Sequence, residues 1–102
     1  MELVTDLFGR QIRLTDERIG HILSHDEMRG EIRKIRETLK EPKAVKASSH
    51  DADTHMYYKF YRNTMVGDKY LLVVVKILPE KSFVITSFFT DRIKEGKNIW
   101  PS

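Results

Sequence analysis

The chain has 102 residues, of which 32% are charged and 40% hydrophobic, a composition typical of one soluble globular domain covering residues 1–102. It contains no cysteine, which excludes disulfides, cysteine-ligated zinc and thiol catalysis, and no apolar run approaches the roughly 20 residues of a membrane span. The amino terminus has no basic patch followed by an apolar stretch, so we expect a cytoplasmic protein that does not bind membranes.

The positive charge is concentrated in one segment. Residues 29–46 carry an excess of four positive charges, whereas the whole chain carries +3. A basic helix on a nearly neutral body favours binding of a polyanion. A solvated helix face explains the same charges without any partner.

The first elements are predicted to be a short hairpin and a helix. Leu3–Thr5 and Gln11–Leu14 are strand-like, and Gly9 supplies the backbone freedom of the turn between them. Thr15 is predicted to cap a helix that packs one apolar face inward. His21 would then lie on the opposite face.

A second helix is predicted to begin at Ser24, because the sequence Ser-His-Asp-Glu has the form of a capping box. Its buried stripe would comprise Met28, Ile32, Ile35 and Leu39, and its outward face would carry Arg29, Arg33, Arg36 and Lys40. Pro42 ends this helix, whereas Gly30 is expected to weaken it without breaking it.

The second half of the chain is predicted to be mainly β-structure, followed by a short helical turn ending at Gly96. The strand-like runs are Ala44–Ala47, Met56–Arg62, Tyr70–Leu78 and Ser82–Phe89, and residues 48–55 form a polar loop between the first two. The predicted fold class is α+β, with the N-terminal hairpin and two helices packed on one face of an antiparallel sheet, a meander of about four strands.

Three polar residues interrupt the apolar central hairpin: Lys76, Thr86 and Ser87. If Leu78 pairs with Ser82 across a three-residue turn, Lys76 and Thr86 face away from the helices. A four-residue loop would instead turn Thr86 toward the helices, since a slip of one residue exchanges the faces.

The aromatic strand brings further groups to the open face, either Tyr58 with Arg62 or Tyr57 with Lys59. Lysine, arginine, tyrosine and hydroxyl groups on one concave sheet suit a phosphodiester. The alternative is that Lys76 extends past the sheet edge into solvent and that the Thr86 hydroxyl hydrogen-bonds to a nearby group, with no ligand at either residue.

The histidines offer acid–base chemistry. His21 and His25 have the i, i+4 spacing that chelates a metal on one helix, but no glutamate follows the first histidine and no third ligand is evident. We therefore predict no metal and no cofactor, and consider either residue a general acid or base. His50 and His55 lie in the polar loop, and we give them little weight as candidate catalytic residues.

Several motifs together resemble the phage-associated nucleases of the barnase/EndoU/colicin/RelE-like superfamily. They are His21-Ile22-x-x-His25-Asp26-Glu27, Leu39-x-x-Pro42, Tyr57/Tyr58, Leu72–Lys76, Val84–Phe88, Ile93-Lys94-x-Gly96 and Trp100. The similarity extends from about His21 to Trp100. Asp26 stands where similar sequences often carry proline.

This resemblance implies helices on one side of an antiparallel sheet and metal-independent RNA cleavage, with the 2′-hydroxyl as internal nucleophile. It also implies a toxin or phage-associated role and, for a toxin, an antitoxin or immunity protein as partner. By position, the implied catalytic residues are His21 or His25, Lys76, Thr86 and a tyrosine of the aromatic strand, for which we predict Tyr58. Arg29, Arg33, Arg36, Lys59, Arg62 and Ser87 would bind the substrate, with Lys76 and Arg62 stabilising charge on the phosphate.

Overall fold

A seven-stranded sheet with two α-helices on one face forms the fold of the computed structural model, which describes residues 1–101. In chain order the elements are β1 Glu2–Thr5, β2 Gln11–Leu14, α1 Asp16–Leu23, a 3-10 helix Asp26–Met28, α2 Ile32–Lys40, β3 Ala44–Ala47, β4 Thr54–Thr64, β5 Gly67–Lys76, β6 Phe83–Thr90 and β7 Lys97–Trp100. The strands lie in the order β1-β2-β6-β5-β4-β3-β7. The α+β class is confirmed.

The predicted meander of about four strands is wrong, because it omits both edges of the sheet. The N-terminal hairpin joins β6 through a parallel pairing, in which the Arg13 amide donates to the Ser82 carbonyl oxygen at 2.9 Å. At the other edge, β7 pairs with β3. The central strands β3 to β6 are antiparallel, as predicted, and the sheet as a whole is mixed.

The core lies between the helices and the odd-numbered residues of β5. Leu71, Val73 and Val75 are fully buried there against Ile22 of α1 and Ile35 of α2. The even-numbered residues of β5 therefore point to the opposite side, which we call the helix-free face.

The second helix begins later than its capping-box sequence predicts. Ser24 ends α1 instead, with its hydroxyl donating to the His21 carbonyl oxygen at 2.6 Å, and α2 starts only at Ile32. The interruption coincides with Gly30, whose φ of +74° is incompatible with a continuous right-handed helix. The buried stripe is retained, because Met28 and the apolar residues of α2 still reach the core.

The segment after β6 is not the predicted helical turn. Residues 91–96 contain no helix and cross the helix-free face from the end of β6 to the start of β7. The Lys94 amide donates to the Tyr58 hydroxyl at 3.2 Å, and a Cβ on Gly96 would lie 2.5 Å from the Ala47 carbonyl oxygen. We call residues 91–96 the crossing segment.

Neither α-helix within residues 1–101 combines the length and the apolar character needed to cross a bilayer.

Candidate functional site

One row of side chains runs across four strands of the helix-free face. Strand pairing places Lys46 opposite Met56, Met56 opposite Val74, and Val74 opposite Thr86. Directly opposed residues share a face, so Lys46 and Thr86 point to the same side of the sheet. Lys76 follows Val74 by two residues and also lies on this face.

A β-bulge decides where Thr86 points. Near the turn, Lys76 pairs with Phe83, and continuing this register would bring Thr86 opposite Val73 on the helix side. The register shifts by one residue between Val74 and Val75, which sets Thr86 opposite Val74 instead. The expectation that Lys76 and Thr86 share the face away from the helices therefore agrees with the observed pairing.

The predicted link between Leu78 and Ser82 is made by a side chain rather than by the strand ladder. The Ser82 hydroxyl accepts from the Leu78 amide and donates to the Leu78 carbonyl oxygen, both at 3.0 Å. Residues 79–81 thus form the turn, but the ladder itself begins only at Lys76 and Phe83.

Lys76 is held by an ion pair with Asp51, at 2.6 Å between Nζ and Oδ2. The Asp51 carboxylate also accepts from the Asp53 amide at 3.0 Å and from the Thr54 hydroxyl at 2.9 Å. The hydrogen bond from Lys76 is the main reason why the pKa of Asp51 falls to about 2, and Asp51 in turn raises the pKa of Lys76. Lys76 is therefore a fixed positive charge at neutral pH.

A cleft of about 280 Å³ opens on the helix-free face, between the loop after β3 and the crossing segment. Its lining residues are Ser48, Ser49, His50, Met56, Lys94 and Glu95. His50 is exposed, and Asp51, the partner of Lys76, is the next residue in the chain. An imidazole, three lysines (Lys46, Lys76 and Lys94) and several hydroxyl groups thus lie on the same side of the sheet.

His21 and His25 lie on the other side of the molecule. Both are exposed in the helix layer, where their rings make an edge contact at 5.9 Å between centroids. The sheet separates this pair from Lys76, so the three residues do not form one cleft. Within residues 1–101, no three histidine, aspartate or glutamate side chains come together as a metal-binding group.

The three arginines of the helix region that were predicted to bind substrate are each paired with an acid. Arg29 contacts Asp26 at 3.3 Å, Arg33 forms an ion pair with Glu37, and Arg36 contacts Glu2 at 2.6 Å. The Arg36 hydrogen bond lowers the pKa of Glu2. Two of these partners, Asp26 and Glu2, lie outside residues 29–46 and offset two of the segment's four excess positive charges, which reduces its attraction for a polyanion.

Lys59 also serves the helix rather than the open face. Its Nζ donates to the Glu41 carbonyl oxygen at 2.8 Å, just beyond the end of α2. This contact satisfies a carbonyl at the negative end of the helix dipole.

Two proposed site residues are buried, which corrects their assignment as groups that contact substrate. Tyr58 is 0% exposed, with its hydroxyl bonded to the Lys94 amide and 3.7 Å from the Met56 sulfur. Burial raises the pKa of Tyr58. Ser87 is 1% exposed and donates to the Leu72 carbonyl oxygen at 2.8 Å. Tyr58 thus links the crossing segment to the sheet, and Ser87 links β6 to β5.

Arg62 lies at the far end of the helix-free face, beside two aromatic rings. Its guanidinium carbon is 5.8 Å from the ring centroid of Phe60, and the Phe60 and Tyr70 rings make an edge contact at 5.1 Å. Among the groups predicted to bind substrate, Arg62 is exposed and lies on the same face as Lys76 and Thr86.

His50 is the residue that sequence reasoning undervalued. Its neighbours in the chain are polar, so the sequence predicts an ordinary loop in this segment. No local pattern identifies His50, because the loop is held near Lys76 by the pairing of Thr54, at the start of β4, with that lysine.

No protein-family model, curated protein or solved structure gives a significant match to this chain.

Proposed function

We propose that this protein is a metal-independent RNA endonuclease whose site is the cleft on the helix-free face. The observation that carries this proposal is that Lys46, Lys76 and Thr86 lie on the same side of the sheet as the cleft that His50 lines, with Lys76 bonded to Asp51, the residue after His50. Lysine charges attract the phosphodiester backbone, and an imidazole nitrogen can accept a proton from a hydroxyl group.

In the proposed reaction, His50 removes the proton of a ribose 2′-hydroxyl, and that oxygen attacks the adjacent phosphorus. The new P–O2′ bond forms as the P–O5′ bond breaks, giving a 2′,3′-cyclic phosphate and a free 5′-hydroxyl. Water in the open cleft donates the proton to the leaving oxygen. Lys76 stabilises the negative charge that develops on the phosphoryl oxygens, and the Thr86 hydroxyl orients the phosphate.

Assigning the proton transfer to His50 differs from the resemblance, which implies His21 or His25. The reason is position, since the helix layer lies across the sheet from Lys76. His21 and His25 remain predictions of the resemblance, and the same assay tests all three histidines.

The test is cleavage of a labelled single-stranded RNA in excess EDTA, with the matching DNA as a substrate that lacks the 2′-hydroxyl. We expect His50→Ala to lower the rate by about 10²- to 10⁴-fold, the usual contribution of a general base. Lys76→Ala should also lower it, whereas His21→Ala and His25→Ala serve as matched controls with the wild-type rate. Equal activity in wild type and His50→Ala, or cleavage of the DNA, would refute the proposed site.

A second candidate function is RNA binding without cleavage, on the same face. The specific observation in its favour is that Asp51 already occupies Lys76, so a phosphate must compete with a carboxylate for that charge. This candidate predicts that wild type binds RNA and leaves it intact after prolonged incubation.

A toxin role follows only from the nuclease proposal. Expression in a bacterial host should then arrest growth, and His50→Ala should relieve the arrest. An antitoxin or immunity protein would be expected to cover the helix-free face, because that surface carries the proposed site.

A further inference from the structure

The end of the helix-free face near the β4–β5 turn carries an aromatic surface that the proposed cleavage chemistry does not use. Phe60, Tyr70 and Thr90 are directly opposed on β4, β5 and β6, so they form one row about 10 Å wide. Arg62 lies over the Phe60 ring on the same side. We call Phe60, Arg62 and Tyr70 the aromatic platform.

Phe60 is 40% exposed although it lies within a strand of the sheet. A single exposed apolar side chain is ordinary on a protein surface. Here, however, two rings contact each other and an exposed guanidinium covers part of one, so the platform presents flat π-surfaces together with positive charge. This combination suits unpaired bases, which stack on aromatic rings and on arginine planes.

Two arginines near the platform also suit a polyanion, whereas Asp68, which precedes Tyr70 by two residues and accepts from the Asn63 amide at 2.8 Å, adds one negative charge at the same end of β5. Within residues 1–101, neither Arg62 nor Arg92 forms an ion pair, in contrast to Arg29, Arg33 and Arg36 in the helix region. Arg92 follows Thr90 by two residues and lines an open cleft formed by residues 90–95. The nearby acid Asp91 is paired with Lys69, which lowers its pKa and offsets its charge.

We propose that the aromatic platform binds unpaired bases of a single-stranded RNA whose scissile phosphate lies at the cleft beside Lys76, an inference that rests on the proposed function. Lys76 and Tyr70 are six residues apart on β5, a separation of about 20 Å. The crossing segment covers Tyr58 and Leu72 between the two sites, so an RNA of several nucleotides must pass over this segment to contact both. A dinucleotide does not reach from one site to the other.

The experiment measures binding of a fluorescently labelled, uridine-rich single-stranded RNA by anisotropy, with 2′-O-methyl groups that prevent cleavage. Phe60→Leu keeps an apolar side chain but removes the flat ring. We expect it to weaken binding by roughly five- to 150-fold, the loss associated with one stacked base. Tyr70→Phe keeps the ring and should keep the affinity.

Phe8→Leu is the matched control. Phe8 is 42% exposed and also has an arginine over its ring, with the Arg10 guanidinium carbon 4.8 Å from the centroid, but it lies in the β1–β2 turn. This variant should bind like wild type. An abasic oligonucleotide of equal length should bind wild type and Phe60→Leu equally, because it has no base to stack.

The other outcomes refute the inference in distinguishable ways. If wild type binds no RNA, both the platform and the proposed function fail. If wild type binds RNA and Phe60→Leu binds equally well, only the platform fails. If Phe60→Leu weakens binding of the abasic oligonucleotide equally, Phe60 contacts the RNA backbone rather than a base. If wild type self-associates with rising concentration and Phe60→Leu does not, Phe60 contacts another copy of the chain.

Discussion

The hydroxyl group of Tyr57 donates a hydrogen bond to the buried carboxylate of Asp6, which is 51 residues away in the chain. Asp6 also accepts from the backbone amides of Phe8 and Arg10, at 3.0 and 2.8 Å, and from the Arg10 Nε at 3.0 Å. The Arg10 guanidinium reaches the Tyr57 oxygen at 2.8 Å. This cluster fastens the β1–β2 turn to the central strands, and burial is the main reason why the pKa of Tyr57 is raised.

Replacing Tyr57 with phenylalanine should destabilise the fold. The change removes one donor to a buried carboxylate and one acceptor for Arg10, and a hydrogen bond to a charged group contributes about 1.5–3 kcal/mol. We expect the free energy of unfolding in urea to fall by about 2 kcal/mol. Tyr70→Phe is the matched control, since the Tyr70 hydroxyl has no hydrogen-bond partner among the described residues. Equal losses in the two variants would contradict this role for Asp6.

The ion pair between Lys76 and Asp51 predicts a change in titration. In wild type the pKa of Asp51 is about 2, because Lys76 stabilises the carboxylate. Lys76→Met should move this pKa upward, toward the ordinary value of about 3.9, while the bonds from Asp53 and Thr54 hold it somewhat lower.

The sign of the accompanying stability change follows from this direction. The depressed pKa stabilises the folded state above the unfolded value of about 3.9, and that contribution is lost as the pH falls toward the folded value. Carboxyl chemical shifts measured against pH by NMR give the Asp51 pKa directly. Lys81→Met, at an exposed lysine of the β5–β6 turn, should leave it unchanged. An Asp51 pKa that stays near its wild-type value in Lys76→Met would rule out the ion pair.

Two glycines should respond in opposite directions to replacement by alanine. At Gly96 the added Cβ would lie 2.5 Å from the Ala47 carbonyl oxygen, so the crossing segment must move away from β3. We expect a loss of about 1–3 kcal/mol in the free energy of unfolding. Gly20 lies inside α1 with nothing within 4 Å of the added Cβ, so alanine there should stabilise the protein by up to about 1 kcal/mol. Chemical denaturation measures the free energy of unfolding of both variants. If Gly96→Ala stabilises the protein, the crossing segment moves away from the Ala47 carbonyl oxygen at little cost, and the predicted loss is wrong.

How far the sequence predicts the site depends on the range of the interactions involved. The shared face of Lys76 and Thr86 follows from strand alternation once the turn length is assumed, although the bulge that preserves it has no signal in the sequence. The burial of Tyr58 depends on the crossing segment, which packs against it from 36 residues away. His50 reaches the cleft for the same kind of reason, because tertiary contacts rather than local patterns position a polar loop.

The same limit applies to the fold. Local signals locate the Thr15 cap correctly, since its side chain accepts from the Arg18 amide at 3.2 Å. They fail at Ser24, where a capping-box sequence is present but Gly30 adopts a positive φ that delays the next helix. Strand β7 is short, and only its pairing with β3 makes it part of the sheet.

His55 should make the stability of the protein depend on pH. Burial is the largest cause of its lowered pKa, and the nearby charge of Arg10 acts in the same direction, whereas the Ala52 backbone, Asp53 and Asp6 partly oppose the shift. Its Nδ1 is buried without a hydrogen-bond partner among residues 1–101. The unfolded chain therefore binds a proton more readily than the folded protein, and stability should fall as the pH drops below about 6.5, until the folded pKa is reached.

Replacing His55 with glutamine should remove this part of the pH dependence, because the new side chain does not titrate. The measurement is the free energy of unfolding in urea at several pH values from above to below about 6.5. His21→Gln, at an exposed histidine in the helix layer, is the matched control and should retain the decline. An identical decline in His55→Gln and wild type would mean that protonation of another group weakens the fold. If stability no longer declines in His55→Gln, His55 is the residue that couples folding to pH. It lies on β4, between the loop that carries His50 and Tyr57 of the Asp6 cluster.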